Sequence, residues 1–595
     1  MKKIVALVLL VVLTQPLVFA QKHPKTPSLT EEQRIIHVLN RLGFGARPGD
    51  VERVKAMGVD NYINQQLNPE KISDTVAENK VRDLSVLSMP TAELYEKYPQ
   101  PGQLLRQLQA RGKMPAEMPD DKAKDNPNTP PANPLDNEKN RQAIQEYYRE
   151  NGLQRPQRII DELQASRILR AVYSERQLQE VMVDFWTNHF NIFANKGADR
   201  WLLPAWDRET IRPNAMGKFS TLLQATAESP AMLFYLDNFQ SVSPNANRGA
   251  ERQGARRPLL DLLGGRRRRD IGMDREPNMR PQQPAPAQPQ QRQRRGINEN
   301  YARELMELHT LGVDGGYTQK DVQEVARCFT GWTIFQPRGG AAAVNAMMGE
   351  AGRRNAGTFF FNARVHDDGE KTVLGHKISA GGGIKDGLTV LDILAHHPST
   401  AKFIATKLVR HFVSDTPPPG LVDRVAATFT KSDGDIRETL KAIFFSKEFN
   451  STEAYRVKIK RPFELVVSAI RTLGADTNGG PGTHQWIARM GEPLYGFQTP
   501  NGYSDAAESW VNTGGLLERM NFGLALANNR VQGTKVSLSQ TNGEQAKVMD
   551  EYLKTLLAGD ISAATREALL KQLEPSDPPT KVVGLILGTP EFQRQ

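Results

Sequence analysis

A mainly α-helical globular body, broken by disordered insertions and carrying one small β-hairpin, is the fold class that the sequence predicts. Three observations lead there. Apolar residues recur at three- and four-residue spacing through most of the chain, which is the period of a helix with one buried face. Helix start signals stand where those patterns begin, as at Thr318. Aromatic and β-branched runs flank a turn signal in one stretch, "TFFFNARVHDDGEKTVLGHKI" around Asp368-Gly369, which reads as the hairpin.

The chain begins MKKIVALVLLVVLTQPLVFAQ, with Lys2 and Lys3 ahead of an apolar run and with Val18 and Ala20 as small residues near its end. This is the pattern of a signal peptide over residues 1–20, too short for a membrane span. The expectation is Sec-type export, cleavage after Ala20 and a periplasmic or extracellular protein. Neither an Arg pair nor a Cys stands at that point, and no later run reaches span length, so no transmembrane or lipid anchor is expected.

Residues 21–595 read as a single domain interrupted by low-complexity insertions at 111–140, 243–296 and 338–357. Arg176 to Phe193 carries Leu178, Val181, Met182, Phe185, Trp186, Ile192 and Phe193 on one broad face. Thr318 and Asp321 form a capping-box variant, followed by the inner stripe Val322, Val325, Ala326 and Phe329. Helices are then expected from Leu388 to His396, Ser399 to Val413, Gly420 to Phe429, Asp435 to Phe445 and Pro462 to Leu473. Pro398 should end the first of these and leave Ser399 as the cap of the next. A helical pair closes the chain, from Gln545 to Leu557 and from Ala563 to Leu573.

The net charge of +10 invites a polyanion as partner until the charges are located. Between Asn247 and Arg295 stand thirteen arginines against five acids, so eight of the ten excess charges are local. That stretch is rich in Pro and Gln and poor in aromatic residues, which marks a solvated loop able to touch an acidic polymer. It offers bases no stacking platform, and export removes the opportunity, so nucleic acid is not the expected partner. Cys328 is the sole cysteine, so crosslinks do not hold the fold; beside Val325 and Phe329 it reads as a small buried hydrophobe.

Several long motifs occur in order: HVLNRLGFGARPGD, FWTNHF, ENYARELMELHTLGVDGGYTQKDV, FTGW, HDDGEKTVLG, HPSTAKFIATKLVRHFVSDTPPP and GTPEFQ. Together they resemble the bacterial domain-of-unknown-function 1800 family over nearly the whole mature chain. The resemblance implies a large exported protein without an agreed activity, often encoded beside a sulfatase-like family of unknown function. The Arg- and Pro-rich insertions depart from the pattern.

Two helices carry polar residues on apolar faces. With Glu304 at zero and about 100° per residue, Leu311, Leu308, Tyr301 and Leu305 lie between about −20° and 100°, and His309 follows at about 140°. An inward carboxylate needs a partner, a metal or a proton. A structural role for it is a pair with an Arg, such as Arg327 or Arg410, or a cap on another helix terminus. His189 falls in the middle of the arc that Val181, Phe185, Leu178, Met182 and Trp186 define; on its own it reads as a core histidine bonded to a carbonyl. His189 and Glu304 are the candidate catalytic residues, and His189, Glu304 and His309 would be ligands of a divalent metal if they converged in a helical core. His366, Asp367 and Asp368 fit a turn held by Asp, and His396-His397 a helix end.

No nucleophile elbow, phosphate loop, dinucleotide fingerprint or His-Glu-x-x-His motif is present. Asp314-Gly315-Gly316-Tyr317 lacks the oxygen spacing of a calcium loop. Two functions follow: a scaffold or partner in an envelope or secreted assembly, and, as the alternative, a metal-assisted hydrolase or lyase acting on an envelope polymer.

Overall fold

The computed structural model describes residues 28–110, 137–245, 296–335, 354–538 and 544–595. The signal-peptide segment, the Arg-rich stretch and most of the other two insertions lie outside the described residues. Helices dominate, as the periodicity requires. One contiguous core runs from Ile35 near the start to Phe592 near the end, so residues hundreds of positions apart bury the same apolar surface. No helix among the described residues is long and apolar enough to cross a membrane.

Local chemistry sets the helix boundaries. The Gln177–His189 helix buries nearly all of its residues and stops at Phe190. Thr318 caps the Gln319–Cys328 helix, its hydroxyl accepting from the Asp321 N–H while Asp321 reaches back to the Thr318 N–H. The later helices run Ile384–His396, Pro398–Phe412, Pro419–Lys431, Ile436–Phe444 and Pro462–Thr472. One cap differs from expectation. Pro398 opens its helix at the first position, and His397 is the cap, its Nδ1 accepting from the Ser399 N–H at 3.2 Å. A proline at that position loses no hydrogen bond, because the first N–H groups of a helix have no partner within it.

Among the described residues the β content is three two-stranded antiparallel sheets in place of one hairpin. Strand β1 (Trp332–Ile334) pairs with β2 (Phe359–Phe361), β3 (Lys371–Val373) with β4 (His376–Ile378), and β5 (Asp476–Thr477) with β6 (Thr534–Lys535). The expected turn at Asp368-Gly369 therefore joins two different sheets. The tight turn is Leu374-Gly375, both at positive φ. The aromatic run pairs instead with Trp332, next to the core.

The exposed Asp368-Gly369 turn lies over a buried polar knot of His366, Asp367, Lys371 and Asp386. The Lys371 ammonium donates to the Asp367 carbonyl, to the Gly369 carbonyl at 2.9 Å and to Asp386 at 2.6 Å. His366 meets the Thr330 carbonyl at 2.7 Å and Asp386 at 3.2 Å. Asp367 accepts from the Gly369 N–H, as a turn aspartate does, and also binds Arg327 at 3.0 Å. Every group here has a protein partner, so the knot fastens the sheets to the Ile384–His396 helix. Cys328 is fully buried nearby, and burial pushes its thiol up to about 12. It is an inert packing residue.

A candidate ligand cleft at Lys407

Helix ends and one long loop build the site. Residues 491–510 run without regular structure except for one short turn at Ala507–Ser509. A loop this long inside a helical body needs anchors for its backbone. They come from FWTNHF and its surroundings. Asn188 clasps Tyr503, donating to its carbonyl at 2.8 Å and accepting from its N–H at 2.7 Å. Asn191 donates to the carbonyls of Phe497 and Thr499, and the Tyr235 hydroxyl to that of Gln498 at 2.7 Å.

The loop begins at Glu492, which is buried and accepts from Arg461 at 2.7 Å and from the Phe463 N–H at 2.8 Å. Arg461 also pairs with Asp184 and lies 3.8 Å from Glu464, while Arg167 holds the second Asp184 oxygen at 2.5 Å. Burial drives the Glu492 carboxyl up to about 7, against the opposing pull of Arg461. The base of the loop is thus an ionic core sealed from solvent.

Between this loop and the Pro398–Phe412 helix opens a cleft of about 1100 Å³. Asn188, Lys407, Arg410, Tyr503 and Asp505 are among the residues lining it. Lys407 and Arg410 stand three apart on that helix, close enough to act on one ligand. Asp505 is engaged by His411 at 3.1 Å, and Asp415 by Lys458. Burial alone would raise the Asp505 carboxyl; His411, Arg461 and Lys458 outweigh it and hold it well below the usual carboxylate range. Glu508 is exposed at the rim. Arg410 has no ion-pair or hydrogen-bond partner among the described residues, and its positive charge is open to the cleft.

Lys407 connects the cleft to the residues flagged in the sequence. Its ammonium lies 2.8 Å from His189 Nδ1, and His189 Nε2 lies 3.1 Å from the His309 carbonyl oxygen. A carbonyl can only accept, so Nε2 carries the ring hydrogen and Nδ1 receives one from Lys407. The two imidazoles are each 2% exposed, with ring centres 6.2 Å apart. Burial, then Lys407, depress His189 well below the ordinary histidine range and His309 to about 3. Burial thus favours the neutral form of both rings. Burial also pulls the Lys407 ammonium down to about 8, Asp505 opposing the shift and Arg410 adding to it.

The structure therefore joins His189 and His309 and leaves Glu304 outside that contact. Glu304 is half-buried, and burial, followed by Glu307, raises its carboxyl. Neither Arg considered as its partner pairs with it, for Arg327 binds Glu324 and Asp367. Among the described residues no three of His, Cys, Asp and Glu are grouped as a metal ion requires. Both His189 nitrogens are engaged by protein atoms, so neither is open as a ligand. Lys407 and the 491–510 loop escaped the sequence reading because lysine on a helix usually faces solvent and the loop carries no periodicity. Its density of Gly, Pro, Asn and aromatic residues was the available signal.

A family model described as "Protein of unknown function (DUF1800)" matches residues 37–594. No curated protein matched the chain, and no solved structure did. Nearly the whole length is covered, including the helix end that carries His189 and the loop it holds, and the chain belongs to the DUF1800 family, whose function is unknown.

Proposed function

We propose that this is an exported protein that holds a carboxylate-bearing polymer of the cell envelope in the cleft at Lys407 and Arg410. One observation carries the reading: two cations three residues apart face a large cleft in which Asp415 and Asp505 are already paired. A cation that faces a cleft without a protein counter-ion, as Arg410 does among the described residues, is a receptor for an external anion. The signal-like start supports export. The reading favours action on a ligand over the purely scaffolding role, although an envelope assembly partner, such as a sulfatase-like protein, is compatible with it. It makes no use of a metal, since His189 would have to release Lys407 or the His309 carbonyl to bind one.

Calorimetric titration with mannuronate-rich alginate, against a neutral glucan of similar length, tests the proposal. Arg410→Gln is expected to weaken alginate binding about tenfold, the loss of one charge-assisted contact. Added salt should weaken it further. The Lys407 contribution is present while the amine is charged, below about 8, and is lost as pH rises through that value. Equal affinity for the neutral glucan, or an unchanged Arg410→Gln, would sink the reading. A chain lacking residues 246–295 separates the cleft from the Arg-rich stretch: the Arg410-dependent part of the affinity should survive the deletion.

A further inference from the structure

Resting on that reading, we infer that the cleft cleaves its polymer by β-elimination, with Lys407 as the base and Arg410 holding the uronate carboxylate. The observation behind it is the placement, one helical turn apart on the same cleft wall, of an amine and a guanidinium that is unpaired among the described residues. A carboxylate on Arg410 brings the carbon that bears it, and the hydrogen on that carbon, towards the Lys407 Nζ. Pairing with a guanidinium also acidifies that hydrogen, because it stabilises the charge that spreads onto the carboxylate as the proton leaves.

The groups facing Lys407 suit a base. His189 is a neutral acceptor that fixes one N–H of the amine, and His309 behind it is neutral as well. Arg410 on the same helix disfavours the ammonium, and Asp505 from the loop favours it. Their balance, with burial, keeps the free base accessible near neutral pH. A solvent-exposed lysine would hold its proton about two units higher.

The step balances without water, oxidant or reductant. The Nζ lone pair takes the proton from the carbon bearing the carboxylate. The electrons of that C–H bond form the new C=C bond, and the glycosidic C–O bond at the next carbon breaks, its electrons leaving with oxygen. The ammonium just formed returns its proton to that oxygen. One amine serving both ends requires the abstracted hydrogen and the departing oxygen to lie on the same side of the ring. β-Linked mannuronate and glucuronate meet that condition. Galacturonate, with the oxygen on the opposite side, does not.

The test uses the full mature chain with mannuronate-rich alginate, hyaluronan and polygalacturonate, following the ultraviolet absorbance of the conjugated unsaturated uronate and measuring binding in parallel. Expected is product from alginate or hyaluronan, at a rate that rises with pH through about 8 as the free amine forms. Lys407→Arg keeps the charge but cannot act as a base, so it should bind within about threefold of wild type and lose at least about a hundredfold in rate, the scale of one general base. Binding without product from any of the three polymers overturns elimination and leaves the cleft reading standing. Absence of both binding and product overturns the two together. Product from polygalacturonate, or undiminished product with Lys407→Arg, overturns the single-amine step.

Discussion

Replacing Arg461 with Met is expected to cost about 3–5 kcal/mol of stability, the scale for removing one partner of a buried ion group. The side chain is 4% exposed and meets Asp184, Glu464 and Glu492, none of which can turn to water when the guanidinium goes. Arg167 still serves Asp184; Glu492 loses its only ion-pair partner among the described residues. The carboxyl of Glu492, already raised to about 7 by burial, should rise further. A carboxylate whose folded pKa lies above its unfolded value contributes most below the unfolded value and loses that contribution as pH rises through the folded one. The penalty in Arg461→Met should therefore shrink as pH falls from 8 towards 5. Chemical denaturation at a series of pH values measures this, and a penalty independent of pH would show that the lost packing, not the stranded charge, carries the effect.

Gly502→Ala is expected to release the cleft wall. Gly502 has φ near +71°, where a side chain costs about 1–2 kcal/mol, and an added Cβ would stand 2.2 Å from the Asn188 carbonyl oxygen. That oxygen belongs to helix backbone and cannot move away cheaply. The strain is relieved if the Asn188–Tyr503 clasp opens. Hydrogen exchange should then show lost protection at Tyr503 with the Pro462–Thr472 helix unchanged, and alginate affinity should fall about tenfold or more. Retained protection with retained binding would mean that the loop is held elsewhere.

Most helices were legible in the sequence because one physical rule, burial of one face, wrote both pattern and structure. The capping box at Thr318 was legible for a local reason: the two groups that satisfy each other lie within one turn. The strand partners were not, since the aromatic run at Phe359–Phe361 looks equally fit to pair across the next turn or with Trp332. That choice is made by the core, which no local pattern records.

The candidate site was half legible. His189 and His309 stood out as polar intrusions on apolar arcs, and they do meet. Their partner did not stand out, because Lys407 reads as an ordinary charged position on an amphipathic helix until the fold places it against His189. Glu304 stood out equally and remains apart. Orientation on one helix predicts burial, and it cannot predict which other helix lies opposite.

Asn188 and His189 are consecutive residues at one helix end, the first gripping the loop at Tyr503 and the second gripping Lys407. The two jaws of the cleft are therefore bolted to a single peptide unit. A slot built in this way has its gauge set by one helix end, because neither jaw can shift without disturbing the residue that holds the other. Moving the cleft into another protein would mean carrying that dipeptide together with the loop, since neither jaw keeps its spacing alone.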